Sequence, residues 1–181
     1  MSTETLEAVR LGAATVDLTI EAGRIARIVP RPGPARAMVL PPLVDAHVHL
    51  DKTHAVDRIP GRPQSLFEAI EMAAADKARW TAADLRARAG RALAEAEARG
   101  VAALRTHVDW TEPATPLAWS VLGELAEDWR GRVAVERAAL APLDLLGDPD
   151  LGPRIADAVA ATGGVLGAFV YRNEQLPAKL E

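Results

Sequence analysis

The chain has 181 residues, of which 49% are apolar and 25% charged, and a formal net charge of −4. That length and apolar content suffice for one substantial core, or for a domain with a small appendage. The acidic balance gives no reason to expect nucleic acid or an anionic membrane as a partner. The lack of cysteine excludes disulfides, thiolate ligands and a thiol nucleophile, so any metal must be held by nitrogen and oxygen.

The N-terminus, MSTETLEAVRLG, lacks the basic and apolar blocks of a signal peptide, and no stretch approaches the roughly 20 apolar residues of a membrane span. The expectation is a soluble cytoplasmic protein. Residues 13–30 predict two short strands: Val16, Leu18 and Ile20 alternate with polar residues, Ile25 and Ile28 do so more loosely, and Glu21-Ala22-Gly23 supplies the turn. RPGPAR (31–36) is a breaker cluster, and MVLPPLVDAHVHL (38–50) is a second apolar run with an irregular, proline-marked start.

Beyond it the pattern alternates between strand and helix. Ser65-Leu66-Phe67-Glu68 is a capping box opening a helix to about Trp80, and Thr81 with Asp84 forms a weaker box before a helix that stops at Gly100. VAALRTHVD (101–109) is a strand, and 115–130 is a helix with Leu117, Val121, Leu122 and Leu125 on one face. RVAVERAALAP (132–142) is a strand, 148–162 a helix, VLGAFVY (165–171) a strand, and LPAKLE (176–181) a helix start. Strands beginning near 42, 101, 132 and 165, each followed by helical sequence, are four βα units of a parallel, right-handed arrangement.

Two of the four histidines stand one residue apart in PPLVDAHVHLDKT (41–53). On a strand, positions i and i+2 share a face roughly 6–7 Å apart, close enough for His47 and His49 to converge on one divalent ion. They sit where the run turns from apolar to charged at Asp51-Lys52, which is the strand's carboxyl end and the usual place for ligands in an α/β barrel. Taken alone, an HxH pair fits packing or hydrogen bonding equally well.

The flanks add to it. GRIARI followed by VLPPLVDAHVHLD resembles the N-terminus of the amidohydrolase superfamily, and HLDKT with the later LRTHVDWTE resembles its cytosine-deaminase-like branch. The resemblance implies a (β/α)8 barrel with a small β-sandwich segment before it. It expects residues 1–40 to belong to the small β-domain and 41–181 to form the first half of the barrel, truncated near its fourth strand and helix, since a full barrel takes roughly 250 residues.

It further implies one divalent metal ion, zinc or iron, activating water for attack on a C–N carbon, with His47 and His49 as ligands. The remaining ligands and the acid–base Glu and Asp would come from later strands, so no catalytic residue is assigned within these 181 residues, and the chain alone is expected to be inactive. The fourth strand, VLGAFVY, has no lysine to bridge two metals, which favours a mononuclear site. AALAPLDLLG (138–147) lacks the glutamine that reads cytosine in the family, which disfavours cytosine itself.

His107 is read as a pocket residue near the metal. Asp109, on the same strand face, would hold the His107 tautomer or touch substrate, or is an exposed charge before the helix; Asp51 would support the ligands from behind, or is a loop charge. Arg172 and Asn173 are candidates for substrate contact or for capping the following helix, Lys52 is read as a loop charge or as facing an anionic group, and His54 as solvent-exposed. The expected function is deaminase-like hydrolysis of a cyclic amidine or pyrimidine-like small molecule. The alternatives are a cyclic amidase, an N-substituted amine hydrolase, or a non-catalytic half-barrel acting as an assembly partner. The partner expectation is a small-molecule substrate, no nucleic acid, no membrane, and homo-oligomerisation or association through the exposed barrel edge.

Overall fold

A computed structural model describes residues 3–170, and within it the chain parts into two units between Pro42 and Leu43. The first unit is a four-stranded sheet of β1 (Thr3–Leu11), β2 (Ala14–Glu21), β3 (Arg24–Pro30) and β4 (Ala37–Met38), in the order β3-β2-β1-β4. β2 and β3 are the predicted pair, and Ala22 and Gly23 both adopt positive φ (50° and 74°), as a two-residue hairpin turn requires. The charged alternation of TETLEAVRL hides β1. It pairs antiparallel with β2 and carries a bulge at Ala8, whose N–H donates to Asp17 Oδ1 at 2.8 Å. Val9, Val16 and Leu18 form this unit's small core.

The second unit holds a parallel sheet of β5 (Leu43–Val48), β6 (Val101–Asp109), β7 (Ala134–Pro142) and β8 (Val165–Phe169), neighbours in space in their sequence order. Its helices are α1 (Leu66–Asp76), α2 (Ala82–Ala98), α3 (Leu117–Asp128), α4 (Leu143–Leu146) and α5 (Leu151–Ala160). Four βα-type strands in parallel order are the start of an α/β barrel. Period-2 alternation splits β6 cleanly. Leu104, Thr106 and Val108 are buried against the helices, while Arg105, His107 and Asp109 take the other face.

The core joins Leu85, Ala89 and Leu93 of α2 to Trp119, Leu122 and Leu125 of α3, Ile155 and Val159 of α5, and the helix-facing strand residues. Gly164 is small by necessity, because a Cβ there would stand 2.5 Å from Cη2 of Trp119. α2 ends as predicted, with Gly100 at φ +80° just past its cap.

Three local expectations change. The helix from Ser65 stops at Asp76 and continues only as a 3₁₀ turn over Lys77–Arg79, leaving Trp80 extended. Ser65 Oγ accepts from Glu68 N at 3.2 Å, but Glu68 Oε2 returns to Gln64 N at 2.6 Å, one residue before the position of a standard capping box. Leu117, predicted inward, is exposed at the first turn of α3, while Val121, Leu122 and Leu125 are buried. α4 was not legible beforehand, being a single turn in an apolar stretch. Among the described residues no helix is long and apolar enough to cross a membrane.

Arg58 anchors the long β5–α1 connection. It donates to Asp76 Oδ2 (3.0 and 2.7 Å) and to Asp84 (2.6 and 3.1 Å), and Trp80 Nε1 also donates to Asp76 Oδ2 at 2.8 Å. Burial alone would push the Asp76 carboxyl up, but the bonds from Arg58 and Trp80 outweigh it and hold it below the ordinary carboxylate range; Arg58 does the same to Asp84. A carboxylate held low contributes stability above its unfolded value and loses it as pH falls through its folded value. Arg58→Ala is therefore expected to cost on the order of 2 kcal/mol in urea unfolding at neutral pH. The difference from wild type should shrink under acid conditions, where both aspartates protonate; a loss that stays constant into strong acid would place the effect in packing instead.

Candidate functional site

The site forms where β5 runs out. After Val48 the chain turns tightly: Lys52 N donates to His49 O at 3.0 Å and Thr53 Oγ1 to Leu50 O at 2.8 Å. Leu50 N, fully buried, donates to Thr106 Oγ1 at 3.0 Å, so a hydroxyl on the core face of β6 fixes the residue next to His49. Arg88 Nη1 donates to the carbonyls of Asp51 and Thr53, both at 2.7 Å, while Asp84 Oδ2 holds the guanidinium at 3.1 and 3.0 Å. The loop is thus tied from two sides.

That clamp leaves His47 Nε2 and His49 Nε2 3.4 Å apart. Two ligands bonded to one tetrahedral ion at 2.0–2.1 Å stand about 3.3–3.4 Å apart, so the pair already has the edge length of a metal site. The same separation is a long hydrogen bond between complementary tautomers. Burial lowers the His49 pKa to about 4, with the Lys52 charge adding to the effect, so its imidazole is neutral and its lone pair free at neutral pH. His49 Nδ1 is buried and unpartnered. Among the described residues no group of three or more His, Asp or Glu gathers to hold an ion, so the pair offers half a donor set.

His107 lies against this pair. Its ring stacks on that of His47 with centroids 3.9 Å apart and planes at 14°, and stands 6.0 Å from that of His49. Burial lowers its pKa, the neighbouring His47 adds to the effect, and its Nδ1 has no partner. Asp109, two residues on, is claimed by lysines: Lys52 Nζ lies 2.8 Å and Lys77 Nζ 3.7 Å from its Oδ2. Lys52 is therefore an ion-pair partner at the site's rim as well as a loop charge. Asp51 is 1% exposed with Oδ1 unpartnered, and burial pushes its carboxyl up to about 6, against the pull of Lys52.

The structure brings His47, His49, His107, Asp109 and Asp51 to one end of the sheet. Arg172 and Asn173 lie outside the described residues. His54 is half-buried rather than exposed; it adopts φ +53° and places Nε2 3.6 Å from Glu95 Oε2. Sequence reasoning missed Thr106, Arg88 and Lys77. Thr106 had a signal, being a polar residue in the buried phase of an alternating strand; Arg88 and Lys77, on separate helical turns, had none.

No family model matches the chain. It is 32% identical to a pterin deaminase from Rhizobium rhizogenes over 94% of its own length and 41% of that protein's. The solved structure of N-isopropylammelide isopropylaminohydrolase from Burkholderia multivorans is 31% identical, with a TM-score of 0.65 over 92% of this chain and 44% of that one. 5-Methylcytosine deaminase from Klebsiella pneumoniae, liganded with 5-fluorocytosine, shares the fold at 21% identity, with a TM-score of 0.67 over 97% of this chain and 53% of that one. The chain thus spans about half or less of the length of these relatives.

Thr106→Val should leave Leu50 N buried and unpaired, at a cost of about 1–3 kcal/mol, whereas Thr106→Ser keeps the acceptor. Urea unfolding of the two variants checks this; equal losses would show that Thr106 matters for its shape and not for its hydroxyl.

Proposed function

We propose, from its likeness to a pterin deaminase and an isopropylaminohydrolase, that the chain is part of an amidohydrolase-superfamily protein and supplies part of the active site of a metal-dependent hydrolase of C–N bonds, deaminase-like and acting on an amino-substituted nitrogen heterocycle. The observation that carries the proposal is the 3.4 Å approach of His47 and His49 Nε2 at the end of β5. In this reading those two nitrogens hold one zinc or iron ion. Such an ion, once bound, supplies polarisation of water and of the carbon under attack.

The protein's own residues do the rest. The neutral imidazole of His49 offers its lone pair without first losing a proton, and the turn fixed by Thr106 and Arg88 holds both rings in register. His107, stacked on His47, sets that ring's tilt and forms the pocket wall beside it. Asp109, ion-paired with Lys52 and Lys77, stands at the rim where substrate would enter, and Asp51 backs the histidine pair. We assign no acid–base residue to these 181 residues.

The likeness to an isopropylaminohydrolase favours a second arm of the same reading, removal of a substituted amine in place of ammonia. The histidine-bearing face of the sheet has no helices over it among the described residues, and Leu43, Val44 and Leu166 on its edge strands are exposed. A parallel sheet is normally covered on both faces, so further chain or a second copy is proposed to cover this one, in the cytoplasm.

Zinc titrated in competition with a chromophoric chelator tests the centre. His47→Ala and His49→Ala should each weaken binding at least about tenfold, and His107→Ala far less. Unchanged affinity in both ligand variants would remove the metal centre from this reading. With the site completed by the further chain or second copy that covers the sheet, assays for released ammonia and isopropylamine decide between the two arms.

A further inference from the structure

The first unit carries a polar groove of its own. Arg10 of β1 stands opposite Thr15 of β2 and Met38 of β4, so these three side chains share the sheet face away from the core of Val9, Val16 and Leu18. The segment 31–36, which leads into β4, is pinned at both ends: Arg31 N donates to Thr15 O at 2.9 Å and Arg36 N to Ala8 O at 2.7 Å. Between those bonds Pro32 and Pro34 restrict the backbone, and Gly33 bends at φ +102°. Arg36 is thereby held at the entrance to β4. A groove of about 580 Å³ opens here, and its lining includes Arg10, Thr15, Pro34, Arg36 and Met38.

No carboxylate lines this groove. Glu7 and Asp17, the acids that bracket Arg10 in sequence, both go to Arg31, at 3.2 and 2.9 Å. Neither Arg10 nor Arg36 has an ion-pair partner among the described residues. Two guanidinium groups lining one groove repel each other until an anion lies between them. Each presents a planar fork of N–H donors, and Thr15 adds a hydroxyl. A carboxylate, with one charge and two oxygens in a plane, answers a single fork. A phosphate dianion has oxygens on several sides and meets both. Pro34 and Met38 give the groove an apolar side, suited to an organic group attached to the phosphate.

We propose that this groove binds a phosphate dianion, free or as the terminal group of a phosphomonoester, held between Arg10 and Arg36 with Thr15 as a further donor. All of its residues belong to the first unit and none serves the histidine pair, so binding there needs no metal ion.

Isothermal titration of inorganic phosphate, phenyl phosphate and acetate into the 181-residue protein tests the site. It is done with a chelator present, at low ionic strength and at about pH 8, above the second phosphate pKa. Phosphate should saturate and weaken as salt is raised, with acetate at least about tenfold weaker. Arg10→Gln and Arg36→Gln should each weaken phosphate at least about tenfold, with thermal melting confirming that both fold. Arg24→Gln, which removes an exposed arginine of β3 outside the groove, should leave the affinity unchanged. Tighter binding of phenyl phosphate than of inorganic phosphate identifies an ester as the ligand, and equal or weaker binding the free ion; the site stands in both cases. The proposal is overturned if phosphate does not saturate, if acetate matches it, or if either folded groove variant binds like wild type. An equal loss in Arg24→Gln would likewise overturn it, by showing attraction to the unit's overall charge.

Discussion

One buried hydrogen bond, from Leu50 N–H to the Thr106 hydroxyl, sets the geometry on which the histidine site depends. β5 ends at Val48, and its next residues leave the sheet, so the ladder offers no acceptor for that amide. Without the hydroxyl the amide would sit unpaired in the core, at a cost comparable to a sizeable share of a small domain's stability. With it, the chain must turn where it does, and His49 faces back toward His47. Arg88 then closes the loop from the helical side by capping two carbonyls, with its own charge met by Asp84. A strand-end motif of two histidines becomes a preorganised pair because three residues outside the motif hold its backbone.

The charges around the pair follow the same economy of space. Burial keeps His49 uncharged, and the aspartates nearest it are either paired with lysine or sealed away. Unmet nitrogen and oxygen atoms concentrate there: His49 Nδ1, His107 Nδ1, Asp51 Oδ1 and Asp109 Oδ1 are all buried without partners. Among the described residues Asp76 Oδ1 and Trp110 Nε1 are the others in this state, so four of the six gather at the site, and such a concentration marks the place where specificity was favoured over stability.

Much of this was legible in the sequence. The strand at 101–109, a strand starting at 165, the stop at Gly100 and a strand pair within residues 13–30 all follow from alternation and turn chemistry, which act over a few residues. The histidine pair was legible because two residues on one strand face are a local fact. β1 was not, since its polar residues alternate without a strong apolar phase and only pairing with β2 stabilises it. Nor were Lys77 and Arg88, which reach Asp109 and the β5 loop across 32 and 35 or more residues of chain. Their roles exist only once the helices are packed. His54 illustrates the same limit: the neighbour that shelters it, Glu95, lies on a helix far along the chain.

The parallel sheet has a kinetic consequence. Each of its strands pairs with the next one made, so β5-β6-β7-β8 is both the spatial and the temporal order. Every pairing closes over the helical segments that directly follow the earlier strand, and none waits for a strand made later than its neighbour. The second unit can therefore grow from its first strand outward as the chain emerges during synthesis, each βα step adding to a surface already laid down. The histidine pair is then among the earliest parts to be put in place, framed as soon as β6 brings Thr106 alongside.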